Sequence, residues 1–178
     1  MEDEAVGRQG RAGWIKVHAA VDTATNEILA FVVTTEACGD NTCFMRLMDL
    51  LAEGGHDVVK VLADAAYDDR DNWNAMRERG IDFKANIKKS CTGKFKGCSA
   101  RGLLALRRGE IGEQAWKLEI GYGRRWKVEC TFSDLKRLFG FMLNARLKKW
   151  MAFEVYWRIR AHNVYKGMLM ELREEKTC

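Results

Sequence analysis

Apolar residues recur at every second position near the start of the chain, over residues 15–21, with polar or small residues between them. This period of two predicts a β-strand that ends at Asp22. Residues 23–26 are turn formers, and residues 27–35 are again rich in β-branched and apolar side chains. The pattern therefore predicts an antiparallel hairpin.

Two helical segments follow the hairpin. Residues 41–52 carry apolar side chains on one helical face and stop at Gly54-Gly55. Residues 71–79 are predicted to form a second helix, which is closed by Gly80. Because glycine is favoured just after the last turn of a helix, both segments have a clear predicted end.

Strands alternate with these helices. Residues 58–63 predict a short strand buried on both faces, and residues 83–87 predict another strand. A Gly- and Lys-rich loop comes next, followed by two C-terminal helices, the last over residues 152–172. Strands and helices in this order predict the α/β class.

Charge is unevenly distributed along the 178 residues, a length that fits one domain with a sizeable core. Residues 1–80 contain 8 Lys and Arg against 15 Asp and Glu, net −7, whereas residues 81–178 contain 22 against 10, net +12. No acid lies between Asp82 and Glu110. A polyanion such as DNA suits this basic half, although a merely basic surface loop is the alternative. The candidate DNA-binding cations here are Lys88, Lys89, Lys94, Lys96, Arg107 and Arg108.

The six cysteines include no Cys-x2-Cys pair and no histidine at ligand spacing. This argues against a structural zinc site and favours reduced thiols. The first residues are acidic, and no apolar run approaches the roughly 18 residues that a membrane span needs. We therefore expect a cytoplasmic protein with no membrane partner.

The densest candidate chemistry lies between Tyr122 and Lys136. In a helix with about 100° per residue, Tyr122, Arg125, Glu129 and Lys136 share an arc of about 60° beside an apolar stripe. Such a helix holds a carboxylate between two cations and a phenol. The carboxylate can bind a divalent metal and the cations can bind phosphate oxygens. A solvated face with ion pairs fits the same geometry equally well.

Asp64 is a second candidate because it directly follows a strand predicted to be buried. At the end of such a strand a carboxylate is costly unless it is paired, hydrogen-bonded or bound to a metal. The small residues Ala65 and Ala66 leave room for a metal or a phosphate. An Asp at a strand end can instead simply cap the next turn.

The spacing Tyr-x2-Arg-x3-Glu-x6-Lys, formed without a gap by the four residues between 122 and 136, resembles a family signature. The family is a group of prokaryotic insertion-sequence transposases of the DDE type, with a ribonuclease-H-like catalytic fold. Residues 14–22, 28–34 and 61–68 resemble consecutive upstream blocks of that family, in the right order. The resemblance covers residues 13–165, nearly the whole chain.

The resemblance implies a ribonuclease-H-like mixed sheet flanked by helices. It also implies metal-dependent cleavage and transfer of DNA strands at insertion-sequence ends, with carboxylates converging on two Mg²⁺ or Mn²⁺ ions. Asp64 and Glu129 match two of the three acidic metal ligands. Tyr122, Arg125 and Lys136 match residues that hold DNA near the transposon end. The resemblance also implies that the chain binds double-stranded DNA, forms a homodimer on DNA and is associated with the nucleoid.

The sequence departs from the family at the first catalytic Asp, which such transposases carry on the first, central strand. That strand precedes the block that begins here at Trp14. Residues 1–13 are acidic and poor in β-formers, so we expect a non-native or disordered stretch in which Asp3 is a poor candidate. Asp22 is the alternative carboxylate. The sheet is thus expected to lack its first strand, which leaves two edges open.

The expected organisation is a catalytic domain over residues 14–172 and a tail over residues 173–178. Two functions remain open. The first is an active transposase catalytic domain whose missing segment comes from an upstream frame or a corrected start. The second is an inactive, N-terminally truncated remnant with residual DNA binding. A ribonuclease-H-like nuclease unrelated to transposition is disfavoured, because the Tyr-Arg-Glu-Lys set is specialised.

Overall fold

The computed structural model describes residues 15–88, 91 and 97–175. These residues form an α/β protein and fold into two compact units. The hairpin unit contains the described residues 15–39 and 127–175, and the central unit is Asp40–Trp126. Outside the described residues lie the predicted N-terminal stretch, the last residues of the tail, Trp14, Lys89, Lys94 and Lys96.

The hairpin unit is built on two antiparallel strands, β1 (Ile15–Val21) and β2 (Ile28–Thr35), which confirms the predicted hairpin. The register begins with Ile15 opposite Thr35 and shifts after Ala20. Among the described residues these two strands form a sheet of their own.

Helices α5 (Trp126–Phe139) and α6 (Lys148–Glu174) complete this unit. The buried centre consists of Ile28, Val155 and Ile159. The period of two read from the sequence marks the face of the hairpin that meets the helices, because alternate strand residues pack there. The side chains around this centre are Ile15, Val17, Ala19, Val21, Phe31, Val33, Leu135 and Leu143.

Polar side chains of the helices tie them to the end of the hairpin. Asn163 donates through Nδ2 to the Ile28 carbonyl at 2.9 Å and accepts the Ile28 N–H at 3.0 Å, so its amide replaces a missing strand partner. Asn26 adopts the left-handed conformation, φ 62°, which Asn tolerates better than most residues. Its carbonyl accepts a hydrogen bond from the fully buried Thr131 at 3.4 Å. The hairpin turn is therefore fixed by α5 and α6.

The central unit contains two parallel strands, β3 (Lys60–Ala63) and β4 (Asp82–Ala85), connected through α2 (Arg70–Glu78). A first helix, α1 (Phe44–Glu53), precedes them and follows a 3₁₀ turn. Strand β3 is shorter than predicted, and only Ala63 of its residues is buried. The expectation of a strand buried on both faces is therefore wrong.

Aromatic rings form the core of the central unit. Phe83 lies between Trp73 and Phe44, with ring centroids 4.7 Å and 5.0 Å away. Tyr67 extends the group, 5.7 Å from Phe44. Met76 of α2 is fully buried as well. This packing fixes α1 and α2 against the short parallel pair.

Two helices lie in a stretch for which the sequence pattern predicted a loop: α3 (Ser99–Ile111) and α4 (Glu113–Glu119). Glycines suggested a break, but Gly102 is buried within α3. Gly112, at φ 82°, is the actual boundary between the two helices. The prediction failed because a buried glycine and a chain-breaking glycine look alike in sequence.

Candidate active site

The signature segment is not one continuous α-helix. Residues Tyr122–Arg125 form a 3₁₀ turn, and α5 begins only at Trp126. Gly121 sets this turn with a left-handed backbone, φ 70°. Because a 3₁₀ turn has about three residues per turn, residues three apart stack on one another. The predicted single arc therefore does not extend to Tyr122 and Arg125.

Stacking is what the structure shows at these two residues. The Arg125 guanidinium carbon lies 5.8 Å from the centroid of the Tyr122 ring. The ammonium of Lys117 lies 5.9 Å from the same centroid. Both distances are in the range of cation–π attraction. The Tyr122 ring thus has two cations within 6 Å of its centroid, near the C-terminal end of the central unit.

The side chain of Asp64 lies close to the Tyr122–Arg125 turn. Asp64 follows β3 directly and caps a 3₁₀ turn, Ala65–Tyr67, by accepting the Ala65 N–H at 2.7 Å through Oδ1. Its Oδ2 lies 3.7 Å from Nη1 of Arg125. The Asp64 side chain is 50% exposed, so the cost of burial expected from the sequence does not apply. The carboxylate caps its turn and also faces a signature cation.

A side chain of the strand also binds next to the signature turn. Nζ of Lys60, the first residue of β3, donates to the Ile120 carbonyl at 2.9 Å, one residue before the glycine that starts the turn. Burial, reinforced by Asp40, Cys43 and Asp64, raises the pKa of Tyr67 to about 12. Tyr67 therefore stays a neutral phenol even at an alkaline pH at which an ordinary tyrosine ionises.

The other two signature residues lie on α5 in the hairpin unit. Glu129 and Lys136 are exposed and seven residues apart, which places them on one face two turns apart. The Lys136 ammonium lies 5.2 Å from the Phe141 ring centroid. The predicted common face therefore holds for these two residues.

Asp22, the alternative carboxylate, lies in the hairpin turn. Its Oδ1 accepts the Ala24 N–H at 2.7 Å, and its backbone carbonyl accepts the Asn26 N–H at 2.9 Å. This is an Asx-turn arrangement, a common structural use of Asp at the end of a strand. Asp22 therefore has a structural task that needs no ligand.

Several cations of the basic stretch are engaged within the central unit. Arg107 forms an ion pair with Glu119, in which Nη2 of Arg107 lies 2.9 Å from Oε2 of Glu119. Arg108 donates to the Ile87 carbonyl at 2.5 Å, just beyond β4. Lys88 is exposed. The described part of the predicted basic surface is thus partly used to hold α3 and α4 in place.

Asp68 has a role that the sequence did not reveal. Its side chain is fully buried and accepts two hydrogen bonds from Arg101, at 2.7 Å each. Trp73 Nε1 and the Lys88 N–H donate at 2.9 Å. Burial raises the pKa of Asp68, but the bonds from Arg101, Lys88 and Trp73 outweigh it and lower the pKa below its usual value. No sequence signal pairs this Asp with an Arg 33 residues away.

A metal ion of the DDE type needs several carboxylates at one place. Among the residues that the structure describes, no group of three or more His, Cys, Asp or Glu side chains is arranged to hold one. One oxygen of Asp64 is taken by the Ala65 N–H, and the other faces Arg125.

Within the described residues, no helix is both long and apolar enough to cross a bilayer. No solved structure matches the chain. The family model described as "Transposase DDE domain" matches residues 4–164, which is about nine-tenths of the sequence and includes Asp64, Glu129 and all four signature positions. The chain therefore belongs to the transposase DDE domain family.

Proposed function

We propose that the chain acts in DNA transposition as a catalytic domain that cleaves and transfers DNA strands at insertion-sequence ends. Membership of the family supports this, since transposases of this family act on DNA and usually use divalent metal ions. The observation that carries the proposal is the pairing of Asp64 with Arg125. The contact connects Asp64, which directly follows β3, with Arg125, which belongs to the Tyr-Arg-Glu-Lys signature.

The roles proposed for the side chains follow from their chemistry. A guanidinium can exchange a carboxylate for a phosphate oxygen, so Arg125 would turn from Asp64 towards the DNA backbone on binding. Tyr122, stacked on Arg125, would keep that guanidinium oriented. Lys136 would contact a further phosphate. Asp64 and Glu129 would be the acidic groups on which cleavage depends.

We infer a ribonuclease-H-like arrangement for residues 14–172. An antiparallel hairpin followed by a parallel pair with a helical crossover is the order expected of that fold after its first strand. The proposed metal, Mg²⁺ or Mn²⁺, needs a ligand in addition to Asp64 and Glu129. Asp22 is the carboxylate to test for that place, although its hydrogen bond to Ala24 favours the structural role.

DNA binding without cleavage is the second candidate function. The observation that favours it is that both oxygens of Asp64 already have partners within the central unit, the Ala65 N–H and Nη1 of Arg125. Residual binding would then depend on the basic C-terminal half, which carries a net charge of +12 over residues 81–178. Such binding would weaken steeply with salt, because phosphate contacts release counterions.

A nicking assay separates the two functions. Supercoiled plasmid carrying the element's ends would be incubated with the full chain and Mg²⁺ or Mn²⁺, and DNA binding would be measured on the same samples. We expect nicking that Asp64→Asn and Glu129→Gln each reduce at least a hundredfold while binding persists. Asp57→Asn and Glu78→Gln, at exposed acids, are the matched controls and should nick like wild type. Binding with no nicking would leave the second function.

A further inference from the structure

The loop between α5 and α6, residues 140–147, presents two large apolar side chains to solvent. Phe141 is 63% exposed and Met142 is 72% exposed. Neither residue belongs to the Tyr-Arg-Glu-Lys signature. The next residue, Leu143, is the one that packs against the core of the hairpin unit. Adjacent apolar side chains that stand out in this way indicate a contact site for another molecule.

Two side chains of α6 hold the backbone of this loop in place. Arg158 donates through Nη1 to the Gly140 carbonyl at 3.0 Å and through Nη2 to the Met142 carbonyl at 2.7 Å. Glu154 accepts the N–H groups of residues 144–145, each at 2.9 Å. Glu154 and Arg158 also form an ion pair with each other at 2.6 Å. Because the loop is fixed before it binds anything, its two apolar side chains lose little freedom on binding.

The surroundings of the apolar pair are basic. Residues 135–153 contain five Lys and Arg and no Asp or Glu. The Lys136 ammonium lies 5.2 Å from the centroid of the Phe141 ring. An apolar protein surface docked on Phe141 would have to bury that charge, which is costly, whereas DNA has a phosphate beside every base step. Charge complementarity therefore favours DNA as the molecule that covers the pair.

We propose that Phe141 and Met142 form an apolar wedge that enters between two stacked base pairs of duplex DNA and kinks the duplex. Phe and Met are among the side chains that proteins insert between base steps from the minor groove. Lys136 would bind the phosphate beside the opened step, because its ammonium lies against the Phe141 ring. The inference rests on the proposed function for its partner, DNA, and adds to it an element that deforms this partner.

The wedge gives the chain a preference among DNA sequences without hydrogen bonds to base edges. Pyrimidine–purine steps such as TpA are flexible and are unstacked at the lowest cost. A-tracts are stiff and resist the same deformation. We therefore expect tighter binding where a flexible step lies opposite the wedge.

Binding and bending of DNA by the full chain test the wedge, in EDTA so that no divalent metal supports cleavage. The probes are duplexes of about 30 base pairs with either a central TpA step or a central A-tract. Each carries a dye at both ends and 2-aminopurine in place of a central adenine. Energy transfer between the dyes reports the bend, 2-aminopurine fluorescence reports unstacking, and anisotropy reports affinity. Wild type should kink the TpA duplex by about 20–90° and raise its 2-aminopurine fluorescence.

The double variant Phe141→Ala, Met142→Ala should lose most of the kink and of the 2-aminopurine signal. Its affinity for the TpA duplex should fall roughly tenfold, which is the size of effect that removal of an apolar contact to a base has. The slope of log K against log salt should stay the same, because no phosphate contact is removed. Phe141→Leu keeps apolar bulk and should retain the kink. Leu118→Ala, at an 83% exposed apolar residue of α4, is the control and should behave like wild type.

Failure of the wedge and failure of the proposed function give different results. If wild type binds neither duplex, both are overturned. If wild type binds the TpA duplex but leaves it straight and stacked, or if the double variant kinks it as wild type does, the wedge alone is overturned. The last result is also the one expected if Phe141 and Met142 bind a protein partner instead of DNA.

Discussion

Two aspartates four residues apart show how strongly surroundings decide what a carboxylate does. Asp68 is fully buried and held by Arg101, whereas Asp64 is half exposed and 3.7 Å from Arg125. The hydrogen-bonded ion pair at Asp68 fixes α3 against the turn that follows β3. The looser pair at Asp64 can separate at little cost, since exposed ion pairs contribute at most about 1 kcal/mol. The first pair suits a structural role and the second suits ligand exchange.

Replacing Asp68 should destabilise the protein without altering any exposed surface. Asp68→Asn leaves Arg101, which is only 20% exposed, without its anionic partner. We expect a loss of about 3–5 kcal/mol in the free energy of unfolding. Urea unfolding followed by circular dichroism measures it. Glu53→Gln, at an exposed pair with Arg46, is the control and should cost less than about 1 kcal/mol. Equal effects of the two changes would contradict the structural role of Asp68.

The same pair predicts how stability responds to acid. Because the pKa of Asp68 is lowered in the folded state, its contribution is complete above the unfolded value of 3.8. The contribution is lost as the pH falls through the lower folded-state pKa, where the native carboxylate takes up a proton. As the pH falls below 3.8, the free energy of unfolding of Asp68→Asn should therefore decrease less steeply than that of wild type. If the two curves of unfolding free energy against pH ran parallel there, this prediction would be contradicted.

His162 predicts a second pH effect, in a different range. It is fully buried, and its Nε2 has no hydrogen-bond partner among the described residues. Burial lowers the pKa of His162 below the ordinary 6.5 and Lys166 adds to this, while Asn163, Asp134 and Glu27 oppose it. The unfolded chain thus binds a proton that the folded one does not. Stability should be complete above pH 6.5 and decline as the pH falls below it.

Thermal unfolding between pH 7.5 and 5 measures this decline. His162→Leu should flatten the curve in that interval, whatever its effect at neutral pH. His56→Gln, at an exposed histidine, is the control and should keep the wild-type slope. If the slope of thermal stability against pH were unchanged in His162→Leu, His162 would not be the cause of the decline.

At the scale of elements, the sequence pattern correctly predicted the features that depend only on residues close together in the chain. The hairpin and the ends of α1 and α2 follow from alternation and from glycines at helix ends. The pattern missed α3, because nothing local distinguishes the buried Gly102 from a chain break. It also extended the signature helix one turn too far, because helical periodicity does not detect a 3₁₀ turn set by Gly121. The candidate residues were found by spacing, but the Asp64–Arg125 contact depends on tertiary structure.

Helix α5 carries a prediction about DNA. Lys136 lies on the same exposed face as Glu129, so Lys136→Gln should remove one phosphate contact. Affinity should fall several-fold for any sequence, and the slope of log K against log salt should decrease by about 1. Fluorescence anisotropy over a series of salt concentrations measures both. Arg137→Gln, next to it but paired with Asp134 at 3.0 Å, is the control. An equal change in slope for both variants would remove Lys136 from the interface.

At the scale of the whole molecule, charge and family membership lead to the same partner. The acidic first part, net −7, contains Asp64, and the basic second part, net +12, contains the four signature residues. The family match extends over both. A polyanion would be drawn to the second part. This distribution of charge agrees with the DNA-binding role that we propose for the chain.

Strand transfer tests the central claim most directly, because a simple nuclease cannot perform it. A labelled duplex ending in the element's terminal sequence with a free 3′-hydroxyl would be incubated with the chain, divalent metal and a supercoiled target plasmid. The account predicts label joined covalently to the plasmid, and loss of that product in Asp64→Asn and in Glu129→Gln. Nicked plasmid without joined label, or joining that neither substitution affects, would contradict it.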